Sequence, residues 1–159
     1  MNIKYFMKKA LEQANKALLA DEIPIGAVLV DNNNNKIISE SYNLINANHN
    51  ATQHAEMIVI HKACQKRQSK FLSNTSLFVT LEPCAMCAGL ITHARVKRLV
   101  FGASDPRTGA TGTAIEVLNH ASMNHKVEIE SGVLADECGD ILRRFFRARR
   151  KSSTKPASS

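Results

Sequence analysis

Thr80-Leu81-Glu82-Pro83-Cys84-Ala85-Met86-Cys87 carries two thiols behind a proline, and His54-Ala55-Glu56 far upstream supplies an imidazole and a carboxylate. Two thiolates and one imidazole are the donor set of a zinc ion whose fourth position stays open to water, whereas a structural site closes that position with a protein ligand. Cys84 and Cys87 are three residues apart, so on a helix both sulfurs face one side and reach one metal. Pro83 suits a first helical position, with Glu82 flanking it, which puts both cysteines in the first turn, where the helix N-terminus favours the thiolate that binds metal. His54 and Glu56 would diverge in the middle of a helix but converge near its start, with Asn50 and Thr52 as caps. Glu56 then lies beside the open position without touching the metal, where a carboxylate can take a proton from water and hand it on.

Working outward, Ser76 to Leu81 reads as a buried strand feeding the cysteine helix, which runs to about Ala94. The His54 helix runs to about Lys66, and His61, two turns beyond His54, is too far along the axis to share its ion. Upstream, Ile3, Phe6, Met7, Ala10, Leu11, Ala14, Ala17 and Leu18 form the apolar stripe of a first helix. Ile25 to Val30 and Lys36 to Ser39 make a hairpin around the turn-forming Asp31 to Asn35. Tyr42 to Thr52 is a polar loop. Downstream, Val96 to Phe101 is a strand, Gly102 to Gly112 a long loop, Ala114 to Asn119 a short helix and Lys126 to Glu130 a strand. A last helix from Asp136 to about Lys151 turns Ile141, Leu142, Phe145 and Phe146 to the core. Metal ligands thus open two successive helices, each beyond the end of a strand, where open α/β sheets place their sites.

The chain has 159 residues, the size of one domain. We expect that domain over 1–151 and a disordered polar tail over 152–159. Net charge is +7, and Arg143, Arg144, Arg147, Arg149, Arg150 and Lys151 crowd six cations into nine residues of the last helix. Such a cluster repels itself unless phosphates are expected, which favours a polyanionic partner over a merely solvated face. Cys64 and Cys138 sit in half-apolar helical contexts of inert buried thiols. No signal-peptide pattern and no apolar run of about 18 residues is present, so a cytoplasmic protein without a membrane partner is expected.

His-Ala-Glu followed by Pro-Cys-x-x-Cys is the signature of zinc-dependent nucleobase deaminases. From about residue 5 to about 150 the chain resembles the bacterial tRNA-specific adenosine deaminases within the cytidine-deaminase-like superfamily. The resemblance rests on Ile23-Pro24-Ile25-Gly26-Ala27-Val28, the two metal strings with Ala88-Gly89, Val100-Phe101-Gly102-Ala103, Met123-Asn124-His125, the string Gly132 to Cys138, and Phe145-Phe146-Arg147. The metal strings alone fit any member of the superfamily; the flanking strings, the loop after Phe101 and the basic last helix narrow it. Ala51 and Gln53 depart from the family pattern, which commonly has Pro and Ala before the histidine.

The resemblance implies an α/β fold, a three-layer α/β/α cytidine-deaminase-like arrangement with a central five-stranded mixed sheet. It implies one zinc per subunit on His54, Cys84 and Cys87, and Glu56 as the proton-carrying catalytic residue. It places Asn43 on the purine edge, which an amide can read with both its halves. It sets the loop with Asp105 and Arg107, and the helix end with Phe146, Arg147 and Arg150, against the RNA. The implied reaction is hydrolytic deamination of the wobble adenosine of a tRNA anticodon stem-loop to inosine, by a homodimer. Two other readings share the motif: a deaminase of a free nucleobase or nucleoside, which has no need of a cationic last helix, and a non-enzymatic structural zinc module, which needs a fourth ligand and leaves Glu56 without a purpose.

Overall fold

The computed structural model describes residues 1–153. Its elements are α1 (Ile3–Leu19), β1 (Gly26–Asp31), β2 (Lys36–Tyr42), α2 (Ala55–Arg67), β3 (Thr75–Leu81), α3 (Ala85–His93), β4 (Arg98–Ala103), β5 (Glu128–Glu130) and α4 (Ala135–Ser153). The strands form one five-stranded sheet in the order β2-β1-β3-β4-β5. β1 is antiparallel to β2 and β3, while β3, β4 and β5 run parallel.

The period-two alternation of a strand divides the core into two layers. Ala27, Leu29, Leu77, Val79, Leu99 and Phe101 point to one face and pack against Val59, Ala63, Ala88 and Ile91 of α2 and α3. Val28, Val30, Phe78 and Val100 point to the other and meet Phe6, Met7 and Ala10 of α1 and Cys138 of α4. The result is helix, sheet, helix, as expected. α1 comes so close to β1 that a Cβ on Gly26 would lie 2.1 Å from the Ala10 carbonyl oxygen.

Strand direction fixes where the site must be. β3 and β4 end together, with Leu81 opposite Ala103. At that same end β1 begins and β2 finishes, with Gly26 opposite Tyr42. The chain therefore leaves or enters the sheet five times at one end: before Gly26, after Tyr42, after Leu81, after Ala103 and after Glu130.

The differences from expectation are local. No helix forms at Ala114 to Asn119; that segment is turns with one isolated bridge between Thr111 and Glu116. Asn119 instead uses its side chain to bond both the N–H and the carbonyl of Val127, at 2.8 Å each, a local alternative to helix that Asn favours. β5 is shorter than the expected Lys126 to Glu130. α4 runs to Ser153, two residues beyond the expected domain end, and the remaining tail expected to be disordered, 154–159, lies outside the described residues. Phe146 is 45 % exposed and does not join Ile141, Leu142 and Phe145 in the core. Among the described residues no helix is long and apolar enough to cross a membrane.

Candidate metal centre and cleft

α3 begins two residues later than the sequence suggests. Pro83 precedes the helix and Cys84 is its N-cap, with extended backbone angles, so only Cys87 lies in the first turn. The same holds at the other ligand: His54 is itself the N-cap of α2 and makes no side-chain cap bond. Asn50, expected as a cap, turns to Thr52 instead, accepting from its N–H and its hydroxyl. The capping bond comes from outside the helix: the Oδ1 of Asn43 accepts from the Ala55 N–H at 2.8 Å. This leaves the His54 ring free to face the cysteines, which a conventional cap residue there could not do.

The His54 Nδ1 stands 3.7 Å from the Cys84 Sγ and 3.6 Å from the Cys87 Sγ. A tetrahedral ion with nitrogen and sulfur bonds of usual length sets that edge at about 3.6 Å. All three ligand atoms lie within 4.8 Å of one another, and among the described residues no fourth His, Cys, Asp or Glu joins the group. The three can hold one metal ion with an open position. The hydrogen bond from Cys87 holds Cys84 down at about 4, with His54 helping, and the same bond together with burial pushes Cys87 far up. His54 is raised, first by its bond to Cys84 and also by the Ala51 carbonyl that its ring faces. Such a backbone partner fixes the orientation of a metal-binding imidazole.

Glu56 is buried, at 4 % exposure. Burial raises its pKa, and bonding to the Cys87 thiol opposes that rise. A carboxylate that water cannot solvate, held against the ligand group, is suited to carry a proton.

His54, Glu56 and Cys84 open into a cleft of about 970 Å³. Four of the chain crossings at that end of the sheet contribute to its walls: Ile23 and Ile25 before β1, Asn43 and Ile45 after β2, Glu82 after β3, and Ser104 to Thr108 after β4. Leu142, Arg143, Phe146, Arg149 and Arg150 of α4 close the rim. The structure thus brings Asn43, Asp105, Arg107, Phe146 and Arg150 together with the metal ligands. It does not bring Arg147, which points to a separate surface hollow with Glu137, Asp140, Arg143 and Arg144. Four contributors escape a sequence reading. Ile23, Ile25, Ile45 and Leu142 look like ordinary core positions, and no spacing distinguishes a cleft wall from a core. Glu82 reads in the sequence only as the residue flanking Pro83, with nothing to mark it as a wall of the cleft. Cys64 and Cys138 are free thiols away from the ligand group, and His61 is exposed.

Comparison with known proteins gives one answer at several distances. The family described as MafB19-like deaminase matches residues 1–150. The chain is 50 % identical over 145 residues to the tRNA-specific adenosine deaminase of Haemophilus influenzae, covering 91 % of this chain and 83 % of that one. It is 46 % identical over 146 residues to the tRNA-specific adenosine deaminase of Bacillus subtilis, covering 92 % and 89 %. A solved structure from work on A-to-I editing by tRNA:A34 deaminases at the wobble position superposes with a TM-score of 0.80 at 39 % identity, covering 87 % of this chain and 99 % of the other. The guanine deaminase of Nitrosomonas europaea superposes with a TM-score of 0.79 at 22 % identity, covering 89 % and 83 %, and shares the fold.

Proposed function

Because this chain belongs to the family of tRNA-specific adenosine deaminases, we propose that it converts the wobble adenosine of a tRNA anticodon to inosine, releasing ammonia, as a single deaminase domain over 1–151 that acts in the cytoplasm as a homodimer. One observation carries the reading: a buried Glu56 beside a His54, Cys84 and Cys87 triple with no fourth protein ligand among the described residues, at the bottom of a cleft rimmed by arginines. The ion we assign to the triple is zinc, one per subunit, since the donor set and the 3.6 and 3.7 Å edges fit it. Zinc bound there supplies Lewis acidity toward water and hence a nucleophile at neutral pH.

The chain's own residues do the rest. The Glu56 carboxylate takes a proton from the attacking water and gives it to the adenine ring nitrogen; it then takes the second proton of that same oxygen, now bonded to the adenine carbon, and delivers it to the amine, which departs as ammonia. Asn43 has its Oδ1 committed to Ala55, so its N–H2 is the half left to donate to the purine edge. Ile23, Ile25 and Ile45 offer an apolar wall to a base turned out of the anticodon loop, which has less pairing to lose than a duplex. Arg107, Arg143, Arg149 and Arg150 surround the mouth and suit phosphates, with Phe146 exposed beside them for stacking. A site for a free base needs the floor of this cleft but not that mouth.

The test is inosine formation on an anticodon stem-loop, run beside free adenosine, guanine and cytidine. Conversion of the stem-loop with little or none of the free compounds is the expected result. Efficient turnover of a free base with none of the stem-loop would overturn the assignment.

A further inference from the structure

One buried carboxylate in the cleft wall takes no part in the chemistry above. Glu82 is 3 % exposed and stands two residues before Cys84. Its Oε1 accepts from the Asp105 N–H at 3.0 Å, and its Oε2 accepts from the Thr111 N–H at 3.2 Å and the Thr111 hydroxyl at 2.7 Å. The neighbouring Pro83 carbonyl accepts from the Ala110 N–H at 2.9 Å. Between these tethers Gly109 approaches so closely that a Cβ there would lie 2.4 Å from the carboxylate. The loop after β4 is therefore wrapped around a single side chain and bonded to it at both ends. Its middle is ordered from within: the Asp105 carboxylate accepts from the Arg107 N–H at 3.0 Å and from the Thr108 N–H and hydroxyl at 3.2 and 2.8 Å. Internal order makes the loop a unit, but it does not say where the unit sits. Glu82, beside the Pro83 to Ala110 bond, joins it to the turn carrying Cys84.

We propose that Glu82 is a positioning residue for the substrate: it fixes the 105–111 loop, and with it the Asp105 and Arg107 wall of the cleft, at a set distance from the metal ligands. The inference rests on the deaminase reading and adds to it a residue that touches neither base nor metal. A carboxylate is the right group for the task, because charged acceptors make stronger bonds than neutral ones and its partners, the Thr113 side chain among them, are all donors. An amide of the same shape must turn an N–H2 toward one of those donors and leave it unpaired.

Glu82→Gln makes that change, and Thr111→Val removes one donor without altering anything beside Cys84. Both are compared with the parent for turnover of the anticodon stem-loop, metal per chain, and hydrogen exchange at the amides of Asp105 and Thr111. The expected result for Glu82→Gln is a KM raised by about tenfold, the scale of one lost charged hydrogen bond, with a smaller rise in Thr111→Val. Metal content stays at the parent's value, kcat stays within about threefold, and exchange at both amides quickens. The double variant is less impaired than the product of the two singles, since both act on one bond. If Glu82→Gln does not fold, Gly109→Ala, which presses the loop off the carboxylate from the other side, takes its place with the same expected split. An active parent whose variants exchange faster at an unchanged KM overturns the positioning role alone, as does a loss confined to kcat and metal content. A parent without activity on the stem-loop overturns the deaminase reading and this role with it.

Discussion

At the scale of single residues, the roles proposed for Glu56 and Asn43 can be separated by substitution. Glu56→Gln preserves shape while removing the proton acceptor, so metal content and stem-loop affinity should match the parent and turnover should fall by at least about 100-fold, the lower range for losing a general acid–base group. Single-turnover kinetics beside a binding titration checks this; activity within about tenfold of the parent would assign the proton to another group. Asn43 separates two roles on one amide. Asn43→Ala loses the bond to the Ala55 N–H and with it the cap of α2, which should cost about 1 kcal/mol of stability. Asn43→Asp restores the acceptor, so its thermal midpoint should exceed that of Asn43→Ala, but the donor half stays missing and activity on the stem-loop should not return. If activity recovers with the midpoint, Asn43 serves the fold only.

At the scale of elements, α4 divides its charge between two surfaces. Arg149 is tethered, bonding the Asp21 carbonyl and carboxylate at 3.3 Å each and lying over the Phe145 ring, so it links α4 to the end of α1 as well as facing the cleft. Arg150 lines the same cleft, whereas Arg147 faces the other hollow. Replacing Arg147, Arg149 and Arg150 by Ala should lower the slope of log affinity against log salt by roughly 0.7 for each phosphate left without its arginine. Single variants then sort the helix: Arg150→Ala changes the slope, and Arg147→Ala changes it only if the RNA extends past the cleft. A slope unmoved by the triple variant would make the cations a solvated face.

At the scale of the whole molecule, the two helices on one face of the sheet meet at their N-termini through the ligands, and of the two on the other face α4 carries the rim. A metal held by His54, Cys84 and Cys87 would therefore be coupled to the packing of α2 and α3. Cys84→Ser should lose metal and thermal stability together, by more than the roughly 1 kcal/mol typical of point substitutions, because an ion bound only by the folded site adds its binding energy to folding. A chelator applied to the parent should lower the midpoint in the same direction, and a midpoint indifferent to both treatments would detach the ion from the fold. Packing on the opposite face is tested by Gly26→Ala. Its Cβ would meet the Ala10 carbonyl at 2.1 Å, so α1 must lift from β1, at a cost of about 1–3 kcal/mol read from a denaturant midpoint.

The sequence by itself determined most of the elements and the metal-binding donor set: unbroken apolar runs in Ala27 to Val30 and Leu77 to Val79 demanded strands buried on both faces, and the donor types of His54, Cys84 and Cys87 marked a group that can hold a metal. Those are local properties, since the period of a stretch and the softness of a ligand do not depend on what lies across the fold. Asn43 was placed only by likeness to relatives, because nothing in its own neighbourhood marks it. Tertiary structure alone decided that Asn43 caps a helix twelve residues away, that Phe146 stays exposed while Phe145 is buried, that Arg147 leaves the cleft, and that Glu82 holds the loop after β4. Each of these depends on strand order and direction, which bring four distant stretches to one end of the sheet, and that assembly has no period or spacing along the chain by which it could be read.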